Sequence, residues 1–225
     1  MKPAAMIFDF DGVILDSVSI KTDAMRRLFA SERPEHVEAI VALHMRHGGF
    51  SRYRNFEMVH ADILKRPLTA EASAELGRQF ESLVLDAIMR CAEIPGVRAV
   101  LEAHAGKVPL FVASGTPDEE LKRIAAARGL DRYFSEMHGS PRTKIEIISD
   151  LLSRHALDPL RCVFVGDAMT DFDAARRCRV PFVGVVRPEH ANPFERGVCI
   201  VPDLMSFDLM LRNISPADLA IRDTA

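Results

Sequence analysis

The chain has 225 residues, 48% apolar and 27% charged, with 12 glycines and 13 prolines. This is ordinary globular usage and excludes disorder, collagen-like repeats and low complexity. With 29 basic against 32 acidic residues the net charge is -3, so no broad positive field exists to hold a nucleic-acid backbone. No apolar run approaches ~18 residues, so no membrane span is expected. The opening segment reaches Asp9 too soon for a secretory signal. Cys91, Cys162, Cys178 and Cys199 show no Cys-x-x-Cys spacing. They read as reduced, mostly buried thiols of a cytoplasmic protein, not as a disulfide or zinc framework.

In chain order, residues 4–8 form a short continuous apolar run, which suits a strand buried on both faces of a parallel sheet. From about 17 to about 92 no strand pattern occurs. Helical periods span 20–29, 37–45, 50–64 and 70–89, punctuated by Pro34, Gly48-Gly49 and Pro67. After Pro95-Gly96 short apolar runs return at 108–113, 162–165 and 182–186, with helical periods over 118–128 and 144–155 between them. Strands alternating with helices imply crossovers and a mostly parallel sheet. The expected architecture is therefore α/β. A Rossmann-like core (1–16 and 93–225) carries an inserted all-helical domain (17–92), with hinges near 13–17 and 91–95. Residues after Ser215 carry few large apolar side chains and are expected at the surface.

Four short segments, each following an apolar run, carry the chemistry. Asp9-Phe10-Asp11-Gly12-Val13 comes first. Ligands of open α/β sheets bind beyond the carboxyl ends of the strands, and alternation sends Asp9 and Asp11 to one side. Such close carboxylates repel unless a cation or shared proton intervenes. Ser114-Gly115-Thr116, leading into a helix, makes an anion-binding end of hydroxyls and backbone N–H groups. Lys144, at the next helix start, offers a point charge, with Arg142 as a competitor. Gly166-Asp167 followed by Asp171 is the fourth; Asp173 reads as an exposed first-turn acid. Carboxylates with a lysine suit hard Mg²⁺ better than zinc or copper. An EF-hand fails, because Val13 stands where an oxygen ligand is needed.

These segments, in this order and over nearly the whole chain, resemble the haloacid dehalogenase-like hydrolase superfamily, in its aspartyl-phosphatase branch. The helical insert is similar to the cap of phosphoglycolate phosphatase and β-phosphoglucomutase relatives. The resemblance implies that Asp9 is the nucleophile and Asp11 the general acid, then base. It implies that Ser114 and Lys144 hold phosphoryl oxygens, with Gly115 and Thr116 beside the substrate. Mg²⁺ would be held by the Asp9 carboxylate, the Asp11 carbonyl and Asp167. Asp171 would act nearby, through water or by fixing Lys144.

Within the insert, His44 and His47 lie one turn apart without an acidic or cysteine partner at useful spacing, so a helix end is the simpler reading than a metal site. Gly49-Phe50-Ser51-Arg52 is similar to the Gly-Val-Ser-Arg stretch of β-phosphoglucomutase caps, which implies that Arg52 meets a distal anionic group of the substrate. Asp11 argues against a dehalogenase. Gly166-Asp167, where the mutases typically show Glu-Asp, and Lys21, near the position of a mutase histidine, favour a phosphatase over a mutase. The expected substrate is a small phosphate ester, such as phosphoglycolate or a sugar phosphate. A sugar-phosphate mutase and a non-catalytic binding protein are the alternatives.

Overall fold

The computed structural model describes residues 2–213 and 219. Its sheet is built from β1 (Ala5–Phe8), β2 (Leu110–Pro117), β3 (Glu136–Ser140), β4 (Cys162–Gly166), β5 (Phe182–Val185) and β6 (Ile200–Val201). The spatial order is β3-β2-β1-β4-β5-β6 and every pairing is parallel. The chain leaves β1 for β2 on one side and later returns to β4 on the other. β1 therefore flanks the switch point, where a crevice opens beyond the strand ends.

Alternation along the strands divides the core into two layers. Met6 and Phe8 of β1 pack on one face with Val112, Val163, Val165 and Leu121. Ala5 and Ile7 pack on the other with Phe111, Phe164, Ile147, Leu151 and Phe172. The first layer includes α5 (Val97–His104) and α6 (Asp118–Ala127). The second includes α7 (Lys144–Arg154) and α8 (Met169–Cys178). A further helix, α9 (Phe207–Asn213), buries Phe207 and Leu211 in the first layer.

Between β1 and α5 the described elements are all helical: α1 (Val18–Leu28), α2 (Pro34–Arg46), α3 (Arg52–Met58) and α4 (Ala70–Arg90). Phe29, Phe56 and Phe80 pack edge to face at their centre. The two chain crossings into and out of this segment run side by side. Ile94 N–H donates to the Ile14 carbonyl at 3.0 Å and Asp16 N–H to the Ala92 carbonyl at 2.9 Å. No helix among the described residues is long and apolar enough to cross a membrane.

Several expectations need correction. The helix expected over 50–64 starts at Arg52 and widens into a π turn at Val59–Leu64. The strand expected at 108–113 begins at Leu110 and continues through Ser114 and Thr116 to Pro117. β3 has no apolar run because it is an edge strand. Met137 is buried, while Glu136 pairs outward with Arg154, His138 and His155. Only Cys162 is buried; Cys91, Cys178 and Cys199 are half-buried. Leu219 is buried in the first core layer, contrary to the surface expectation for the end of the chain. The other residues after Ser215 lie outside the described ones.

Candidate active site

The four sequence segments converge. Asp9 follows β1 directly, and its Oδ1 accepts the Phe10 N–H at 2.7 Å. Asp167 follows β4, and Asp171 lies in the first turn of α8. One oxygen from each of Asp9, Asp167 and Asp171 lies within 4.8 Å of the others. Two glycines make this approach feasible. A Cβ on Gly12 would meet Asp167 Oδ2 at 2.1 Å, and one on Gly166 would meet the Asp171 Cβ at 2.3 Å. Gly12 also adopts φ +80°, where only glycine is unstrained.

Lys144 is fixed by its helix start. Thr143 and Glu146 form a capping box: the Thr143 N–H donates to Glu146 Oε2 at 2.7 Å, and the Glu146 N–H to Thr143 Oγ1 at 3.3 Å. The Lys144 ammonium then reaches inward, donating to Asp9 Oδ2 at 2.8 Å and to Asp171 Oδ1 at 2.5 Å. Arg142, its competitor in the sequence, points elsewhere and pairs with Asp150. Asp173 is half-buried and pairs with Arg176.

The charges are buried and unevenly compensated. Burial is the largest influence on Asp9 and lifts its carboxyl to about 7. Lys144 pulls it down, while Asp171 and Asp11 push it up. Asp167 is raised well above the usual carboxylate range by burial, Asp9 and Asp171. Burial opposes the charge of Lys144, but Asp171 and Asp9 outweigh it and hold the ammonium protonated. Burial also opposes the charge of Asp11, yet Lys21, Ser17 and Thr116 lower its pKa. Asp11 accepts from Ser17 Oγ at 2.6 Å, from Thr116 Oγ1 at 2.7 Å, and from the Lys21 ammonium.

Above these groups lies a cavity lined by Asp9, Asp11, Asp167, Gly115 and Thr116 from the sheet ends. Lys21, His44, Gly48, Gly49, Phe50, Arg52, Asn55 and Phe80 line it from the helical segment. Ser114 does not line it: the side chain is buried, and its Oγ accepts the Thr116 N–H at 3.1 Å. The helical segment sits directly on the sheet ends. Thr170 Oγ1 donates to the Gly48 carbonyl at 2.7 Å. A Cβ on Gly49 would meet Thr170 Oγ1 at 2.1 Å and Lys144 Nζ at 2.9 Å.

Arg52 reaches this cavity, but its charge is already met. It donates to Glu120 Oε1 at 2.6 Å and stacks over the Phe80 ring at 4.7 Å. His47 stacks on Phe50 and His44 lines the cavity. The His/Cys/Asp/Glu cluster found among the described residues is that of Asp9, Asp167 and Asp171, and neither histidine belongs to it. The sequence reading missed Glu120, Asn55 and the cavity role of His44. A signal existed for two of them. Asn55 stands three residues after Arg52, on the same helix face, and Glu120 stands four before the buried Ile124.

Residues 3–179 match the model of the haloacid dehalogenase-like hydrolase family. The chain belongs to this family. It is 26% identical over 191 residues to a phosphorylated carbohydrates phosphatase from Thermotoga maritima, covering 81% of this chain and 85% of that protein. A 5'-nucleotidase from Pseudomonas aeruginosa is 34% identical over 96 residues; that match spans 40% of this chain and only 43% of the nucleotidase. The fold is shared with a hydrolase from Pseudomonas syringae at a TM-score of 0.76 and 17% identity, covering 94% of this chain and 99% of that one.

Proposed function

We propose that this hydrolase releases inorganic phosphate from a small organic phosphate monoester of the sugar-phosphate or phosphoglycolate type, through a phosphoryl group carried on Asp9. It is a phosphoric monoester hydrolase, in line with the family and with the phosphatases among its relatives. The observation that carries the reading is the meeting of Asp9, Asp167, Asp171 and Lys144 beneath a cavity bordered by Gly115 and Thr116.

An anionic nucleophile cannot approach a phosphoryl group unless charge is compensated. Lys144 supplies one positive charge in contact with Asp9. The raised pKa values of Asp9 and Asp167 mark negative charge that this lysine leaves unmet. An all-oxygen donor set of this kind fits a hard divalent cation such as Mg²⁺. The Asp9 and Asp167 carboxylates and the Asp11 carbonyl would hold it, while Asp171 fixes Lys144 and stands close enough to serve through water. When bound, Mg²⁺ would withdraw charge from the phosphoryl oxygens.

The chain's own residues then divide the work. Asp9 Oδ attacks phosphorus, forming one P–O bond as the bond to the ester oxygen breaks. Lys21 holds Asp11 ionised in the free site; the negative charge of the arriving ester raises it, so that Asp11 enters the reaction protonated and gives that proton to the departing alcohol. Asp11 next takes a proton from water as that water attacks the same phosphorus, which releases phosphate and restores Asp9. Covalent catalysis splits one difficult displacement into two. Gly115 and Thr116 border the place where phosphoryl oxygens sit. Ser114 orders this end of β2 through the Thr116 N–H. We assign the helical segment as a cap that closes over the substrate and excludes bulk water.

The test is phosphate release from a panel of small esters, with Mg²⁺ and with excess chelator. The account expects free phosphate only in the metal-containing arm. Isomerised sugar phosphate without free phosphate would mean a mutase, and inertness toward the whole panel would mean a binding protein.

A further inference from the structure

The leaving-group side of the cavity has its own charge arrangement. Arg52 and Glu120 face each other across the junction between α3 and α6 at 2.6 Å, with side chains 5% and 4% exposed. Arg52 also donates to the Gly77 carbonyl at 3.4 Å, so its fork is largely engaged. Beside it on the same helix face, Asn55 is 1% exposed and lines the cavity. Asn55 Nδ2 donates to the Ser51 carbonyl at 3.3 Å, but its Oδ1 has no hydrogen-bond partner. Glu120 Oε2 and His44 Nδ1 are likewise buried and unpartnered, and His44 lines the same cavity. Burial and Lys21 push His44 down to about 4, so it is uncharged near neutral pH.

We propose that Glu120 is a specificity-determining residue: by cancelling Arg52 it turns the insert side of the cavity into a neutral hydrogen-bonding surface for a hydroxylated leaving group, and turns away a carboxylate. This rests on the phosphatase reading and narrows it to polyol or sugar phosphates. A carboxylate is acceptor-only, whereas a hydroxyl both donates and accepts. Asn55 Oδ1 needs a donor, which a hydroxyl supplies and a carboxylate does not. An excess positive charge would attract a carboxylate, but Glu120 removes that excess. The sequence alone pointed to Arg52 as a site for a distal anion; its pairing with Glu120 reverses that preference.

The test uses two esters that differ at one carbon: glycerol 3-phosphate, ending in a hydroxymethyl, and 3-phosphoglycerate, ending in a carboxylate. The readout is the ratio of kcat/KM for the carboxylate ester over the alcohol ester. It is measured in wild type, Arg52→Gln, Glu120→Gln and the double variant, whose pairs carry net charges of zero, minus one, plus one and zero in that order. Wild type should prefer the alcohol ester at least about tenfold. The ratio should be lowest in Arg52→Gln, similar in wild type and the double variant, and raised about tenfold or more in Glu120→Gln. If Glu120→Gln fails to fold, Arg52→Gln against the double variant carries the same comparison. Equal losses on both esters, with a constant ratio, would make the pair a structural clamp and overturn the proposal. So would a wild-type preference for 3-phosphoglycerate. Calorimetric titration of both esters into the Asp9→Asn protein, with and without the Glu120 change, reads the subsite without turnover. The charge order retained in binding, with no phosphate released by wild type, would sink the phosphatase reading and keep the subsite. No binding of either ester would sink the subsite.

Discussion

The sheet ends and the helical insert build their halves of the cavity in opposite ways. At the sheet ends three of the four carboxylates are held by ammonium groups: Lys144 holds Asp9 and Asp171, and Lys21, reaching in from α1, holds Asp11. On the insert side, Asn55 Oδ1 and His44 Nδ1 are buried without a partner. Paired groups fix a geometry, which is what bond making requires. Unpaired polar groups wait for a ligand, because leaving them buried and unmet has a cost. On the proposed reading the chemistry belongs to the sheet ends and the choice of substrate to the insert.

That division can be broken most severely at the sheet ends. Asp9→Asn should cut phosphate release by about four orders of magnitude or more, with circular dichroism unchanged, since one of several repelling carboxylates is removed. Lys144→Met should leave Asp9 and Asp171 unpaired in a buried site, and should lower unfolding free energy by about 3 kcal/mol in a denaturant titration. On the insert the effect should be smaller. Gly49→Ala places a Cβ against Thr170 and Lys144 at a φ of +83°, lifting the insert from the sheet ends. A displacement near 1 Å is enough for about a hundredfold loss in kcat/KM, with the folded state retained.

The smallest expected effect lies outside the cavity and sharpens the contrast. Glu136 is lowered far below the usual glutamate range, chiefly by Arg154, against the opposing effect of burial, and with help from His138 and His155. Because its folded pKa is depressed, its stabilisation is present above the unfolded value of about 4.3. It is lost as pH falls through the folded one. Glu136→Gln should therefore cost about 1 kcal/mol at pH 7, with the gap to wild type closing below about pH 4, and leave turnover alone. A gap that widened in acid would contradict this assignment.

The two halves also differed in how far they could be read from sequence. Asp9, Lys144, Asp167 and Asp171 each stand at the end of a strand or the start of a helix, where local pattern fixes position. The parallel sheet and the helical insert followed from the same alternation. Glu136 hid β3, because an edge strand need not be apolar on both faces. The insert side of the cavity was legible only in part. Arg52 was visible, but its charge state depends on Glu120, which is 68 positions away and reaches it only through packing. Asn55 carries no motif; its importance comes from a buried oxygen that nothing else in the described chain meets. Ser114 shows the reverse: it stands in the expected segment, yet it accepts the Thr116 N–H within the strand end while Gly115 and Thr116 border the cavity.

The central claim is that Asp9 itself accepts the phosphoryl group. Acid-quenching the enzyme during turnover of a ³²P-labelled ester, then mapping the protein-bound label, tests it directly. The account predicts hydroxylamine-labile label on the peptide carrying Asp9, and none in Asp9→Asn. Sustained phosphate release by Asp9→Asn, or label fixed to a different residue, would contradict it.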